Sequence, residues 1–256
     1  MLTGVREPAV LRSDGDCQVG AAVTEEQLDE FTPEQNKTWA ELYHRQIPRI
    51  DEFACAEYLA GFAILDLPSE EIPGVDYLNS KITPATGWEV VRTDVRYTDS
   101  DEWYRQFDLK HFLITDYMRS WEELDWTPEP DMFHDVFGHL PFMVLPDYAR
   151  LQEMFAPAYL RATTEEQKES IKRLAWFSTE FGLVREGDDV KIFGTGLMSG
   201  GDEMQKAATG VTERRQFTID NVLTRDKAVN EQNEILFVFN SMDALKAELA
   251  SFFDTI

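Results

Sequence analysis

The chain has 256 residues, 43% of them apolar and 12% aromatic, with 48 acidic side chains against 24 basic ones, a net charge of −24. That length and apolar content suffice for one large core or two small ones. The acid excess argues against a nucleic-acid partner, which needs a basic footprint, and against an anionic membrane surface. The acid is dispersed, at Asp99 to Glu102, Glu165 and Glu166, Asp188 and Asp189, as expected of a hydrated surface. No run of 18 apolar residues occurs, so no transmembrane helix is expected. The first residues lack the basic-then-apolar order of a signal peptide. Cys17 and Cys55 are the two cysteines; a lone distant pair without export signals is expected to stay reduced. A cytoplasmic protein is expected.

Residues 1–25 show little periodicity and carry Pro8, Gly15 and Gly20; they are expected to form a flexible tail before a single domain over 26–256. Thr32-Pro-Glu-Gln35 is a capping box with proline at the first helical position, so a helix starts there. Trp39 to Leu65 reads as helix interrupted at Pro48, and Ile72 to Leu78 as a short helix. Trp88 to Val95 is rich in β-branched residues and reads as a strand. Asp101 to Lys110 looks helical and Phe112 to Arg119 extended or irregular. Thr164-Glu-Glu-Gln167 is a second capping box, opening a helix through Phe181. Glu234 to Phe239 is a strand candidate, and Ser241 caps a terminal helix. The expected architecture is mainly α with a few short strands and no βαβ alternation.

Two of the four histidines fall in the stretch PDMFHDVFGH, Pro130 to His139. The spacing of His134 and His139 is i, i+5. On a regular α-helix such residues point about 140° apart, since each residue advances about 100°. The spacing alone is therefore a weak metal signal, and it is not the His-Glu-x-x-His pattern. Gly138 and Pro141 could end or deform the helix and swing His139 round. Glu180 supplies a third donor. It follows Trp176 and Phe177 at i+4 and i+3 and precedes Leu183 and Val184, so it sits on an apolar stripe. A carboxylate there is costly unless paired, protonated or bound to metal. A buried ion pair with an arginine is the competing reading. Two histidines and a carboxylate match the facial triad of non-haem Fe(II) oxygenases.

With these residues in place the sequence resembles the pterin-dependent aromatic amino acid hydroxylases. Four blocks match in order: Thr115 to Arg119, Thr127 to Pro141, Trp176 to Leu183 and Phe193 to Ser199. Ile72 to Val75 and Thr86 to Trp88 also fit, so the likeness runs from about Trp39 to the C-terminus. The resemblance implies the catalytic-domain fold of that family. It implies His134, His139 and Glu180 as iron ligands and as the catalytic centre. Arg119 would grip the substrate carboxylate, with Asp131 orienting it; a planar guanidinium suits that task. Thr127 and Ser199 would lie near the amino acid backbone and Trp176 would line the ring pocket. Trp103 would stack on the pterin, with Tyr104 the alternative register, and Asp135 would face it.

The implied cofactors are Fe(II) and a tetrahydropterin such as tetrahydrobiopterin, with O₂ as co-substrate. The implied reaction is ring hydroxylation of a free aromatic amino acid, L-phenylalanine to L-tyrosine. Phenylalanine 3-hydroxylation, hydroxylation of tryptophan or tyrosine, and a weakly active metal-binding relative stay open as alternatives. A monomer is expected. Several positions depart from the family pattern, among them Gly200 and Gly201, which follow Ser199 where a bulkier pair is common. The loop Asp94 to Ser100 is polar and lacks glycine, and Ala175 stands where a tyrosine is common. Thr195, between Gly194 and Gly196, is expected to border the site.

Overall fold

The computed structural model describes residues 31–256, apart from 126, 128, 229 and 230. The tail expected over 1–25, with Cys17, lies outside the described residues. α1 (Pro33–Phe53) begins at its capping box: Thr32 Oγ1 accepts from the Gln35 N–H at 3.2 Å, and Gln35 Oε1 from the Thr32 N–H at 2.8 Å. Pro48 lies inside α1 without interrupting it. A proline in a helix interior costs roughly 3 kcal/mol, but Gln46 and Ile50 on either side are buried and hold the helix to the core. The interruption comes later, because another element claims the backbone. Ala54 bridges Ile192, and the Cys55 N–H donates to the Ile192 carbonyl at 2.9 Å. The helix then resumes as α2 (Ala56–Leu65). α3 (Val75–Thr86) extends beyond the expected Ile72 to Leu78 and stops at Gly87, whose φ is 76°.

β1 (Glu89–Thr93), α4 (Ser100–Asp108) and β2 (His111–Thr115) form a βαβ unit, with the strands parallel and Val91 opposite Leu113. This corrects the expectation of no βαβ alternation. Each strand is only five residues long, too short to show its pairing in an apolar pattern. The Asp99 carboxylate caps α4, accepting from the Glu102 N–H at 3.0 Å.

Next come α5 (Leu140–Met143), α6 (Pro146–Gln152), α7 (Phe155–Arg161) and α8 (Glu165–Ala175). α8 opens on the second capping box, Thr164 with Gln167. A hairpin follows, β3 (Leu183–Glu186) and β4 (Asp189–Ile192), turning at Gly187 with φ 61°. Then come α9 (Thr195–Met198), α10 (Gly201–Thr209), β5 (Glu213–Gln216), α11 (Ile219–Leu223), β6 (Ile235–Phe239) and α12 (Met242–Phe253). The second sheet has the order β4-β3-β6-β5, antiparallel only in the hairpin. Helix dominates, as expected.

The core centres on aromatic rings behind the histidine segment. Phe133 stacks on Phe137 at 4.7 Å between centroids, and Trp39, Tyr43 and Phe62 pack around the pair. Phe133, Val136, Phe137 and Leu140 are all at most 1% exposed. The segment is thus anchored on its apolar side, which leaves its histidines to the other.

Candidate metal centre and substrate cleft

His134–His139 is a π-helical segment. Hydrogen bonds in a π-helix run from i to i+5, so residues five apart stand nearly above one another. The i, i+5 spacing that an α-helix would splay is therefore brought onto one face. His134 Nε2 and His139 Nε2 lie 3.1 Å apart with their rings at 88°. The sequence expected a deformation through Gly138 and Pro141. The wide turn is the deformation found, and Gly138 serves it by close approach: a Cβ there would stand 2.7 Å from the Thr195 carbonyl oxygen. Tyr58 OH donates to the Phe137 carbonyl at 2.5 Å, giving a partner to a backbone group within the wide turn.

Glu180 ends a second π-helical segment, Trp176–Glu180, which continues α8. Glu180 Oε1 is 3.3 Å from His139 Nε2, and Oε2 is 3.8 Å from His134 Nε2. The three donor atoms lie within 4.8 Å of one another. Among the described residues no arginine pairs with Glu180, and its partners are the two histidines instead. Burial pushes the Glu180 carboxyl up, but His139, then His134 and the Thr195 hydroxyl, outweigh it and hold it at about 2. Burial pushes His134 down to about 4, helped by the charge of His139. Burial also pushes His139 down, but Glu180 outweighs it and the net shift is upward. A carboxylate and a neutral imidazole at neutral pH are ready donors for a divalent ion. A donor set of two nitrogens and one carboxylate on one side suits iron with open positions opposite.

Ser199 Oγ lies 2.9 Å from His134 Nδ1 and fixes that ring from behind. Asp131, wholly buried, accepts from Arg119 Nε at 2.8 Å, Arg119 Nη2 at 2.9 Å and the Arg119 N–H at 3.1 Å. It also accepts from the His134 N–H at 3.1 Å, tying the arginine to the metal segment. The bidentate pair uses Nε and Nη2 and leaves Nη1 for a ligand.

The other expected residues scatter more. Trp176 is half-buried, packs on Phe181 at 4.5 Å and donates from Nε1 to Asn233 Oδ1 at 3.0 Å. The Thr127 hydroxyl donates to the Glu129 carbonyl at 3.1 Å and bonds to none of the other site residues. Asp135 accepts from the Thr115 N–H at 2.8 Å, and burial raises its carboxyl to about 7. Trp103 packs on Phe107 and Phe112 and lines a cavity with Tyr104, Gln152, Phe155, Ala175, His139 and Glu180. Asp135 does not line that cavity. Both aromatic registers, Trp103 and Tyr104, therefore reach it. An aromatic-walled space against two candidate metal ligands fits a planar heterocycle, and the small Ala175 widens it.

The chain matches the family of biopterin-dependent aromatic amino acid hydroxylases over residues 22–256. It belongs to that family. The hydroxylase is 29% identical to the phenylalanine-4-hydroxylase of Chromobacterium violaceum over 219 residues, covering 85% of this chain and 73% of that protein. Its structure matches the apo cold-active phenylalanine hydroxylase of Colwellia psychrerythraea with a TM-score of 0.82 at 31% identity, covering 91% of each chain. It also matches the Chromobacterium violaceum enzyme bearing iron(III) and oxidised 7,8-dihydrobiopterin, with a TM-score of 0.80 at 27% identity over 88% of this chain and 83% of that one. Among the described residues, no helix is long and apolar enough to cross a membrane.

Sequence reasoning missed Gln152 and Phe155 in the cavity wall and Asn233 behind Trp176. Gln152 sits on α6 among apolar neighbours and is only 4% exposed. A polar residue on an apolar helix face was its available signal. Asn233 carried none, because its role depends on where the chain before β6 returns.

Proposed function

We propose that this hydroxylase is an iron- and tetrahydropterin-dependent phenylalanine 4-hydroxylase, converting free L-phenylalanine to L-tyrosine. The observation that carries the reading is the convergence of His134, His139 and Glu180 beside the Arg119–Asp131 pair. The names of the relatives support the substrate. His134, His139 and Glu180 would hold the iron, and Trp103 and Tyr104 would wall the pterin. Iron and pterin together supply the activation of O₂. The rest of the task is position. Asp131 fixes the Nε–Nη2 edge of the Arg119 guanidinium so that Nη1 meets the substrate carboxylate. Ser199 holds His134 by its far nitrogen. Trp176, clamped through Asn233, forms a wall for the substrate ring, and Thr127 borders the amino acid backbone. Asp135 does not line the pterin wall and would act on the pterin side only indirectly, through the Thr115 N–H it holds. A single unit over 26–256, working as a cytoplasmic monomer, belongs to the same reading and rests on the sequence.

The test is turnover with Fe(II), tetrahydrobiopterin, O₂ and each aromatic amino acid in turn, products separated chromatographically. Para-tyrosine from phenylalanine is expected as the main product. His134→Ala and Glu180→Ala are expected to abolish turnover with a native circular dichroism spectrum. Meta-tyrosine as the main product would overturn the ring position, and full activity in either variant the ligand set.

A further inference from the structure

The hydroxyl of Thr195 touches two donor groups of the metal centre at once. Its Oγ1 lies 3.0 Å from Glu180 Oε2, 3.2 Å from His139 Nε2 and 3.1 Å from the Thr179 carbonyl. The residue is wholly buried. Its flanking glycines explain how it comes so close. A Cβ on Gly194 would stand 2.3 Å from the Glu180 carbonyl oxygen, and one on Gly196 would stand 2.8 Å from Phe181 Cζ and 3.1 Å from that oxygen. α9 is pressed against the end of the second π-helical segment more tightly than side chains allow. In Gly194-Thr195-Gly196 the one side chain present fills that contact with a hydroxyl. Ser199 stands four residues on, on the same helical face, and touches His134. α9 and its C-cap residue Ser199 thus offer one hydroxyl to each of the two segments that carry the ligands.

We propose that Thr195 is a positioning residue of the metal centre: its hydroxyl donates to Glu180 Oε2, sets the orientation of that carboxylate and thereby tightens metal binding. The inference rests on His134, His139 and Glu180 being the ligands. A hydroxyl has one proton, and three neighbours compete for it. A metal-bound His139 Nε2 has no lone pair to offer. Of the two oxygens left, the ionised carboxylate is the stronger acceptor, because charge-assisted hydrogen bonds are about twice as strong as neutral ones. The proton therefore goes to Glu180. A long carboxylate side chain held this way keeps its donor atom at the ion without paying rotamer freedom on binding.

The experiment is a Co(II) titration of the metal-free protein against a competing chelator, for wild type and for Thr195→Val, Thr195→Ala, Thr195→Ser and His139→Ala. Melting of each metal-free variant shows that it folds. Thr195→Val keeps the shape and removes the hydroxyl, and it is expected to weaken binding on the order of 10–100-fold. Thr195→Ala carries the same expectation should the valine variant fail to fold. Thr195→Ser, which restores the hydroxyl, is expected to bind close to wild type. Wild-type affinity in the valine or alanine variant would overturn the inference, as would a serine variant as weak as they are. Undiminished binding by His139→Ala would instead overturn the ligand assignment, so the two failures are distinguishable.

Discussion

Asp131 and Glu180 are both buried carboxylates, and the fold answers each differently. Asp131 faces a guanidinium and two backbone N–H groups; Glu180 faces two imidazoles and a hydroxyl. Burial alone would raise the Asp131 carboxyl, but Arg119 outweighs it and holds it below the ordinary value. Asp131→Asn would leave the Arg119 charge buried and unpaired. Chemical denaturation should show a loss of about 3–5 kcal/mol, and the KM for the amino acid should rise. The sign of the pH dependence follows from the depressed carboxyl. The pair's contribution is complete above the unfolded value of about 3.9 and is lost as pH falls through the lower folded value. Acid denaturation should therefore be steeper below about pH 4 in wild type than in Asp131→Asn. Both carboxylates stood in motifs the sequence made legible. Thr195 was expected only to border the site, and the contact of its hydroxyl with Glu180 depends on another segment being packed against it.

The two π-helical segments carry all three candidate ligands, and each is anchored by α-helix on at least one side. A wide turn costs backbone energy and persists only where packing holds it. Here the Phe133–Phe137 stack and Tyr58 hold the first, and α9 presses on the second. Hydrophobic periodicity could not reveal either segment, since five or six residues of altered pitch hardly disturb the apolar pattern. α4 depends on a different local device. Its Asp99 cap satisfies a first-turn N–H, and the helix carries both Trp103 and Tyr104 to the cavity. Asp99→Ala should cost ~1 kcal/mol in a denaturant melt. The KM for pterin should rise more than the KM for phenylalanine, and equal effects on both would count against α4 as the pterin wall. Pro48 shows the limit of breaker rules: the core on both sides of it carried α1 through, and a bridge to Ile192 made the break elsewhere.

At the scale of the molecule the net charge of −24 is the dominant electrostatic fact. The carboxylate side chains of Asp125 and Asp226 are more than nine-tenths exposed even though each pairs with an arginine. Such pairs contribute little, and the unbalanced remainder repels. Screening shortens from about 30 Å at 0.01 M salt to about 10 Å at 0.1 M. The melting temperature should therefore rise as sodium chloride is raised through that range, and a flat or falling profile would mean that the acid is locally compensated. The sequence by itself determined the helix starts, where capping boxes act within four residues, and the family, through side-chain blocks with fixed spacing. It also marked Glu180, because an acid on an apolar stripe needs a partner. Only the tertiary structure decided how His134 and His139 share a face, which strands pair in parallel, and that Thr195 meets Glu180. Those outcomes depend on groups far apart in the chain, and on close packing that local propensity does not encode.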